Sequence, residues 1–290
     1  MSFTPALRSF ISVTAWPGLL AICLGITAIG FQQGYPVTSF NIAYAFLALT
    51  LFVLERKMPH EKVWNKNDGQ TFADIAHTLL NKGSVQLLII FSAVIGLADY
   101  ITPASEPGYS IWPRHWPMLA QVVLGVYAAE FGLYWAHRLC HEWPRLWPFH
   151  AVHHSVIRLW IINTGRFHFI DSLIKVITSI LILAALGAPM EVLIWLSATT
   201  AFIGMLTHCN VEMRFGPLSW IFNTPGLHRW HHSRDLSEGN MNYGENVVLW
   251  DQLFGTYINP KDRRPPVDIG IKEQMPARFV DQLAWPFRRT

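Results

Sequence analysis

The sequence predicts an all-α fold: a polytopic transmembrane helix bundle of about four to six membrane segments, under a cytosolic histidine-rich cap that holds a dimetal site. Three observations predict it. Hydrophobic residues make up 51% of the 290 positions and charged residues only 14%, a balance suited to a bilayer more than to water. Long apolar runs with almost no charge recur between polar connectors, and each is near the length a spanning helix needs. Ten of the 13 histidines fall between positions 137 and 232, most of them in three tight clusters.

Trp16 to Phe31 is the first apolar run and Thr38 to Val53 the second, with the polar turn QQGYP between them. The first reads as an anchor rather than a signal peptide, because no small-residue cleavage site follows and the second run comes at once. Glu55 to Lys82 is polar and reads as a connector lying in water or among headgroups. Val85 to Leu97 begins a third segment, short unless it continues to Ile101, and Trp116 to Ala136 makes a fourth, interrupted by Glu130. Leu173 to Leu186 and Val192 to Leu206 are the fifth and sixth, joined by the turn GAPME, and either cross the bilayer or form a re-entrant hairpin. From Asn210 onward the chain is mixed, aromatic-rich and punctuated by Gly and Pro, which reads as a cap of short helices and turns. The organisation is therefore 1–115 for the first membrane segments and the polar connector, 116–257 for the functional unit, and 258–290 for a cytosolic tail.

If the segments alternate, 21 of the 22 Lys and Arg lie on or border one side, leaving only Arg114 on the other. The positive-inside rule makes that side cytoplasmic, and all three histidine clusters fall on it. The formal charge of +3 is small and its basic residues are scattered, which argues against a nucleic-acid partner. Cys23, Cys140 and Cys209 form no C-x-x-C pair, so they read as free thiols.

The clusters carry the chemistry. His137 and His141 are four residues apart, His150, His153 and His154 form H-x-x-H-H, and His228, His231 and His232 repeat that pattern. Residues three and four apart share a helix face, so each cluster can aim its imidazoles at one point. Pro144 and Pro148 should break the helix after His141 and turn the second cluster back toward the first. Eight nitrogens are too many for one ordinary ion and suit two. Imidazole accepts iron, copper, zinc or nickel, whereas structural zinc would be complete with four ligands and usually uses cysteine. Glu130, Tyr134, His137 and His141 follow one helical stripe, so Glu130 reads as an acceptor behind the metal ligands that orients His137 or balances metal charge. His168 and His208 border apolar segments on the same side and could reach the centre, while His60, His77 and His115 read as ordinary histidines.

The segments EFGLYWAHRLCH, FHAVHHS, NTGRFHFID, LHRWHH and NYGENVVLWDQLFGTY, in that order between Glu130 and Tyr257, resemble the fatty acid hydroxylase and sterol desaturase superfamily of integral-membrane di-iron oxygenases. The resemblance implies that the eight box histidines ligate two iron ions, with His168 and His208 as additional histidines around the centre. It implies supporting roles behind the ligands for Asn242, Tyr243, Gly244 and Asp251. One departure stands out: where many members carry R-x-H-P-x-E, this chain has RFHFID, with Phe169 for the proline and Asp171 for the glutamate. The implied activity is hydroxylation of an unactivated C–H bond in a lipid by dioxygen, with desaturation from the same centre as the alternative. No haem, flavin or iron–sulfur motif is visible, so the electrons are expected from an external donor: a reductase, a ferredoxin or a cytochrome. Arg145, Arg158 and Arg234 are the basic residues expected to face an acidic one. A metal transporter or sensor would instead place ionisable residues along several membrane segments, and a membrane cytochrome would leave most of these histidines idle.

Overall fold

The computed structural model describes residues 3–94 and 111–288. Every regular element among them is helical. The long ones are α1 (Pro5–Gln32), α2 (Pro36–Lys57), α3 (Thr71–Val94), α4 (Met118–Glu142), α6 (Phe169–Leu186) and α7 (Met190–His208). Short helices carry the rest: α5 (Trp147–His154), α8 (Pro225–His231), α9 (Leu236–Gly239), α10 (Leu249–Leu253) and α11 (Phe279–Ala284), with 3-10 turns between. Five of the long helices, α1, α2, α4, α6 and α7, have the length and apolar composition to cross a membrane.

Proline marks several of the starts. Pro5, Pro36, Pro148 and Pro225 occupy the first turns of α1, α2, α5 and α8, where a missing N–H costs nothing. The helix carrying His137 and His141 ends at Glu142, and α5 resumes five residues later on the far side of Pro144. α4 and α6 cross closely because position 132 is glycine; a Cβ there would meet the Thr178 carbonyl at 2.8 Å.

Tertiary contacts gather the same end of each long helix beneath the cap. Arg214 N donates to Ser12 O at 2.8 Å near the start of α1, and the buried Glu55 carboxylate at the end of α2 accepts from Ile161 N and Asn210 N, each at 2.9 Å. At the opposite end, Arg114 donates to Gly187 O in the turn between α6 and α7 at 2.8 Å. The sixth and fifth apolar runs thus form a full helical hairpin, α6 and α7, of 18 and 19 residues.

The polar connector departs from its sequence reading. α3 begins at Thr71, 14 residues before the apolar run, and its first turns belong to the protein interior. Asp74 and His77 are 1% and 0% exposed, whereas Phe72 and Leu79 are 76% and 67% exposed. The polar stripe of this helix faces the cap because Asp74 pairs with the buried Arg166 at 2.7 Å and His77 meets Phe167 O at 3.0 Å. The expected continuation of the third segment through residues 95–101 lies outside the described residues.

Candidate metal centre

Four elements converge on the centre. α4 supplies His137 and His141, α5 supplies His150, His153 and His154, the end of α7 supplies His208, and α8 with the residue that ends it supplies His228, His231 and His232. The nine imidazoles form two groups. His137, His141, His150, His154 and His231 make the first, and His153, His208, His228 and His232 the second; within each, the candidate ligand atoms all lie within 4.8 Å of one another. Neither HxxHH motif stays together, since His153 leaves its neighbours for the second group and His231 leaves His228 and His232 for the first. Eight-residue α5 lets this happen because adjacent positions on a helix point about 100° apart.

The ring nitrogens are ordered from outside. His137 Nδ1 donates to Tyr243 O at 2.6 Å and His231 Nδ1 to Met241 O at 2.8 Å. His141 Nδ1 meets Asn240 Oδ1 at 3.1 Å and His150 Nδ1 meets Asp171 Oδ2 at 3.1 Å. In the second group His153 Nδ1 meets Arg166 O at 3.2 Å and His208 Nδ1 meets Asn163 Oδ1 at 3.4 Å. All six partners are acceptors, so each Nδ1 carries the proton and each Nε2 presents a lone pair inward. Those lone pairs face one another closely: His137 Nε2 is 3.0 Å from both His150 Nε2 and His231 Nε2, and His228 Nε2 is 2.9 Å from His208 Nε2. Burial holds His150, His153, His154, His228 and His232 well below the ordinary imidazole range and His231 at about 3, so protonation is not the relief. Convergent, neutral, inward-facing nitrogen donors at these separations fit two divalent cations. An ion bonded to imidazoles at about 2.1 Å spans about 4 Å between opposite ligands.

The residues expected behind the ligands divide. Asp171 reaches His150, despite being one methylene shorter than glutamate. Glu130 does not touch His137. Its buried carboxylate accepts instead from Glu245 N, Asn246 N and Asn246 Nδ2, the last at 2.8 Å, because His137 Nδ1 is already satisfied by a carbonyl. Asp251 accepts from Tyr243 N at 2.7 Å, Gly244 N at 2.8 Å and the Thr256 hydroxyl at 2.7 Å, and burial pushes its carboxyl up to about 6. Asn242, at φ +55°, donates to Leu227 O and accepts from Ile258 N at 2.9 Å. Together these groups hold the 240–246 loop whose carbonyls orient His137 and His231. Gly244 has no room for a side chain, since a Cβ would lie 2.7 Å from Asp251 Oδ2.

His168 is not brought to either group. Its Nε2 donates to Leu283 O at 3.2 Å and its Nδ1 accepts from Ile170 N at 3.2 Å, so it caps α6 and ties down α11 with both nitrogens spent. Arg158, expected on an exposed basic surface, is 4% exposed, paired to Asp68 through two 2.9 Å bonds and bonded to the Trp64 and Lys66 carbonyls. Arg145 is exposed, and Arg234 binds Asp268 and Ile269 O. The three cysteines are free and buried. Sequence reasoning missed Asn163, Asn240, Glu245 and Lys175; Asn163 and Glu245 stand in the segments NTGRFHFID and NYGENVVLWDQLFGTY, and Lys175 is a lysine inside an apolar run, whereas nothing singled out Asn240.

A family model described as fatty acid hydroxylase matches residues 122–256, which contain all nine clustered histidines. Over 295 aligned residues the chain is 52% identical to ornithine lipid hydroxylase OlsE of Rhizobium tropici, covering 100% of this chain and 88% of the relative. The chain belongs to the fatty acid hydroxylase family. Its further relatives in that family include alkylglycerol monooxygenase of Homo sapiens, 32% identical over 50% of this chain and 32% of the relative. Delta(7)-sterol 5(6)-desaturase of Candida glabrata is 25% identical over 78% of this chain and 60% of the relative. No solved structure matches the chain. Membership in a family of oxidoreductases, together with five apolar helices of spanning length, makes this a multi-pass membrane enzyme.

Proposed function

We propose that this protein is a lipid hydroxylase whose nine clustered histidines hold two iron ions on the cytoplasmic face of the membrane. The observation that carries the reading is the pair of imidazole groups, with Nε2 lone pairs turned inward at the end of an apolar bundle. The two irons, when bound, supply the activation of dioxygen that attack on an unactivated C–H bond requires. One oxygen atom enters the lipid and the other leaves as water, with two protons and two electrons consumed.

The chain's own residues do the rest. The carbonyls of Tyr243 and Met241, the Asn240 amide and the Asp171 carboxylate fix four imidazoles of the first group in the tautomer that binds metal. Glu130, Asp251 and Asn242 keep that loop in place. Trp147 lies against His141 and His154, with ring centroids 5.4 and 5.8 Å apart, and shields this side of the centre from water. The lipid reaches the site from the bilayer that surrounds α4, α6 and α7. Ornithine lipid, named for the 52% relative, is the first substrate to test. The two electrons arrive from a separate donor protein, and exposed Arg145 is the basic side chain near the centre that suits an acidic one. Residues 116–257 form the catalytic unit, with membrane segments before it and the tail 258–290 after it.

The test is lipid mass spectrometry on cells that contain ornithine lipid and express the wild type or His154→Ala, grown under heavy dioxygen. The expected product is a lipid carrying one heavy oxygen, present only with the wild type. An unlabelled lipid lacking two hydrogens would make the protein a desaturase. Identical profiles from cells whose purified wild-type protein contains no iron would overturn the assignment.

A further inference from the structure

We infer that Lys175 is a positioning residue that makes the five-histidine group the tighter of the two metal sites, so that metal fills that group first. The inference rests on the two-metal reading above. Lys175 sits one turn after Asp171 on α6, in an otherwise uncharged stretch, and is 4% exposed. An ionised lysine inside a spanning helix is costly unless charged partners meet it. Two do: Glu245 Oε1 at 2.7 Å, in an ion pair bent away from ideal hydrogen-bond geometry, and Asp171 Oδ2 at 3.6 Å. The Phe167 ring packs beneath the ammonium at 4.6 Å.

Both carboxylates stand behind ligands of the same group. Asp171 accepts from His150 Nδ1 at 3.1 Å, and Glu245 Oε1 lies 4.0 Å from His137 Nδ1. Lys175 thus joins α6 to the 240–246 loop and keeps two negative charges, the buried Asp171 and the half-buried Glu245, together behind two metal-facing imidazoles. Without the ammonium the buried Asp171 carboxylate would lose its countercharge and repel Glu245, drawing the two apart and loosening the contact of Asp171 with His150.

The four-histidine group lacks this support among the described residues. His153 and His208 donate to neutral carbonyl and amide oxygens, at 3.2 and 3.4 Å, and the Nδ1 atoms of His228 and His232 are buried without a partner. Loss of a hydrogen-bond partner behind a ligating histidine typically costs about 10- to 100-fold in metal affinity. The difference in backing therefore sets an order of filling.

Cobalt(II) titration of the full-length, detergent-solubilised, metal-stripped protein, followed by visible absorption, tests this directly. The wild type should take up two equivalents in two phases separated by about tenfold or more. Lys175→Met should weaken the first phase toward the second, Lys175→Arg should restore it, and His208→Ala should remove the second phase alone. Should Lys175→Met fail to insert, Asp171→Asn tests the same line of support one step nearer the metal, because it replaces the charged acceptor of His150 with a neutral amide while Lys175 keeps Glu245. Two equivalents in one phase, or two phases unchanged in these variants, would overturn the role of Lys175 and leave the two-metal reading standing. Uptake of fewer than two equivalents by the wild type would bring down that reading, and the inference with it.

Discussion

The inner stripe of α6 and the cap above it bury opposite kinds of side chain, while α1, α2 and α7 share an apolar core of Trp16, Leu47, Leu51, Phe202 and Leu206. Along α6, Leu181 is exposed at 53% while Asp171, Lys175 and Ser179 are buried, and α3 begins in the same inverted way. In the cap the arrangement is that of a water-soluble domain: Leu227, Trp230, Val247 and Ile269 are buried, and Lys261, Asp262, Arg263 and Arg264 are exposed. The two histidine groups lie where the two regimes meet, roofed by the cap and floored by the polar inner stripe of the bundle. Polar groups can gather there because each region turns toward the seam the side chains that its own solvent rejects or that its partner can satisfy.

Acid should loosen this seam most, in the metal-free protein. His150, His153, His154, His228, His231 and His232 all titrate below the ordinary value of 6.5 when folded, His231 at about 3, because burial disfavours their charged forms. The unfolded chain binds more protons than the folded one below 6.5, so stability rises with pH across that range and is lost as pH falls through it. Each pKa unit of depression is worth about 1.4 kcal/mol per histidine, which makes this the largest expected effect. Thermal melts between pH 7 and 5 should show a steep loss for stripped protein, and metal loading should raise the melting temperature without flattening that profile, since bound metal leaves the folded state as free of protons as burial does. A flat profile for the stripped protein would show that the groups are not dry.

The seam between α3 and the cap should respond next most strongly. Arg166 and Asp74 are both nearly inaccessible and pair at 2.7 Å, and the Arg166 carbonyl is also the acceptor for His153. Arg166→Met keeps the volume but strands a buried carboxylate, which costs about 3–5 kcal/mol. The double variant Arg166→Met with Asp74→Leu should recover much of that stability. If the single variant melts like the wild type in detergent, α3 does not belong to the interior as described.

How much of this was legible beforehand follows the same division. Apolar runs predict spanning helices because a bilayer asks only for length and hydropathy, and the turns at Pro144 and Pro148 follow from a missing N–H. The histidine boxes predict a metal centre because residues four apart share a helix face, as His137 with His141, His150 with His154 and His228 with His232 do. Their sorting into five and four was not readable, since it depends on how α5 and α8 cross α4, which no local pattern records. The same holds for the connector. Asp74, His77 and Asn81 read as water-facing by polarity alone, and only the position of Arg166 and Phe167 beside them shows why they are buried. His168 illustrates the converse error, a histidine of the right type in the right stretch whose nitrogens are used by backbone groups.

Glu130 offers the smallest test and the one that separates support of a loop from support of a ligand. Its carboxylate stands in the same stripe as His137 and His141, yet every hydrogen bond it accepts comes from Glu245 and Asn246. Glu130→Gln keeps one acceptor oxygen and replaces the other with a donor that faces the Asn246 N–H and amide, so the loop loses part of its anchorage at a cost of about 1–3 kcal/mol. Because Tyr243 O and Met241 O are also held through Asp251 and Asn242, the imidazoles they orient should stay in place. The expected outcome is a lowered melting temperature with iron content close to that of the wild type. Loss of iron without loss of thermal stability would instead place the Glu130 charge in direct service of the metals, and would mean that the polar floor of the centre acts through its field as well as through the backbone it holds.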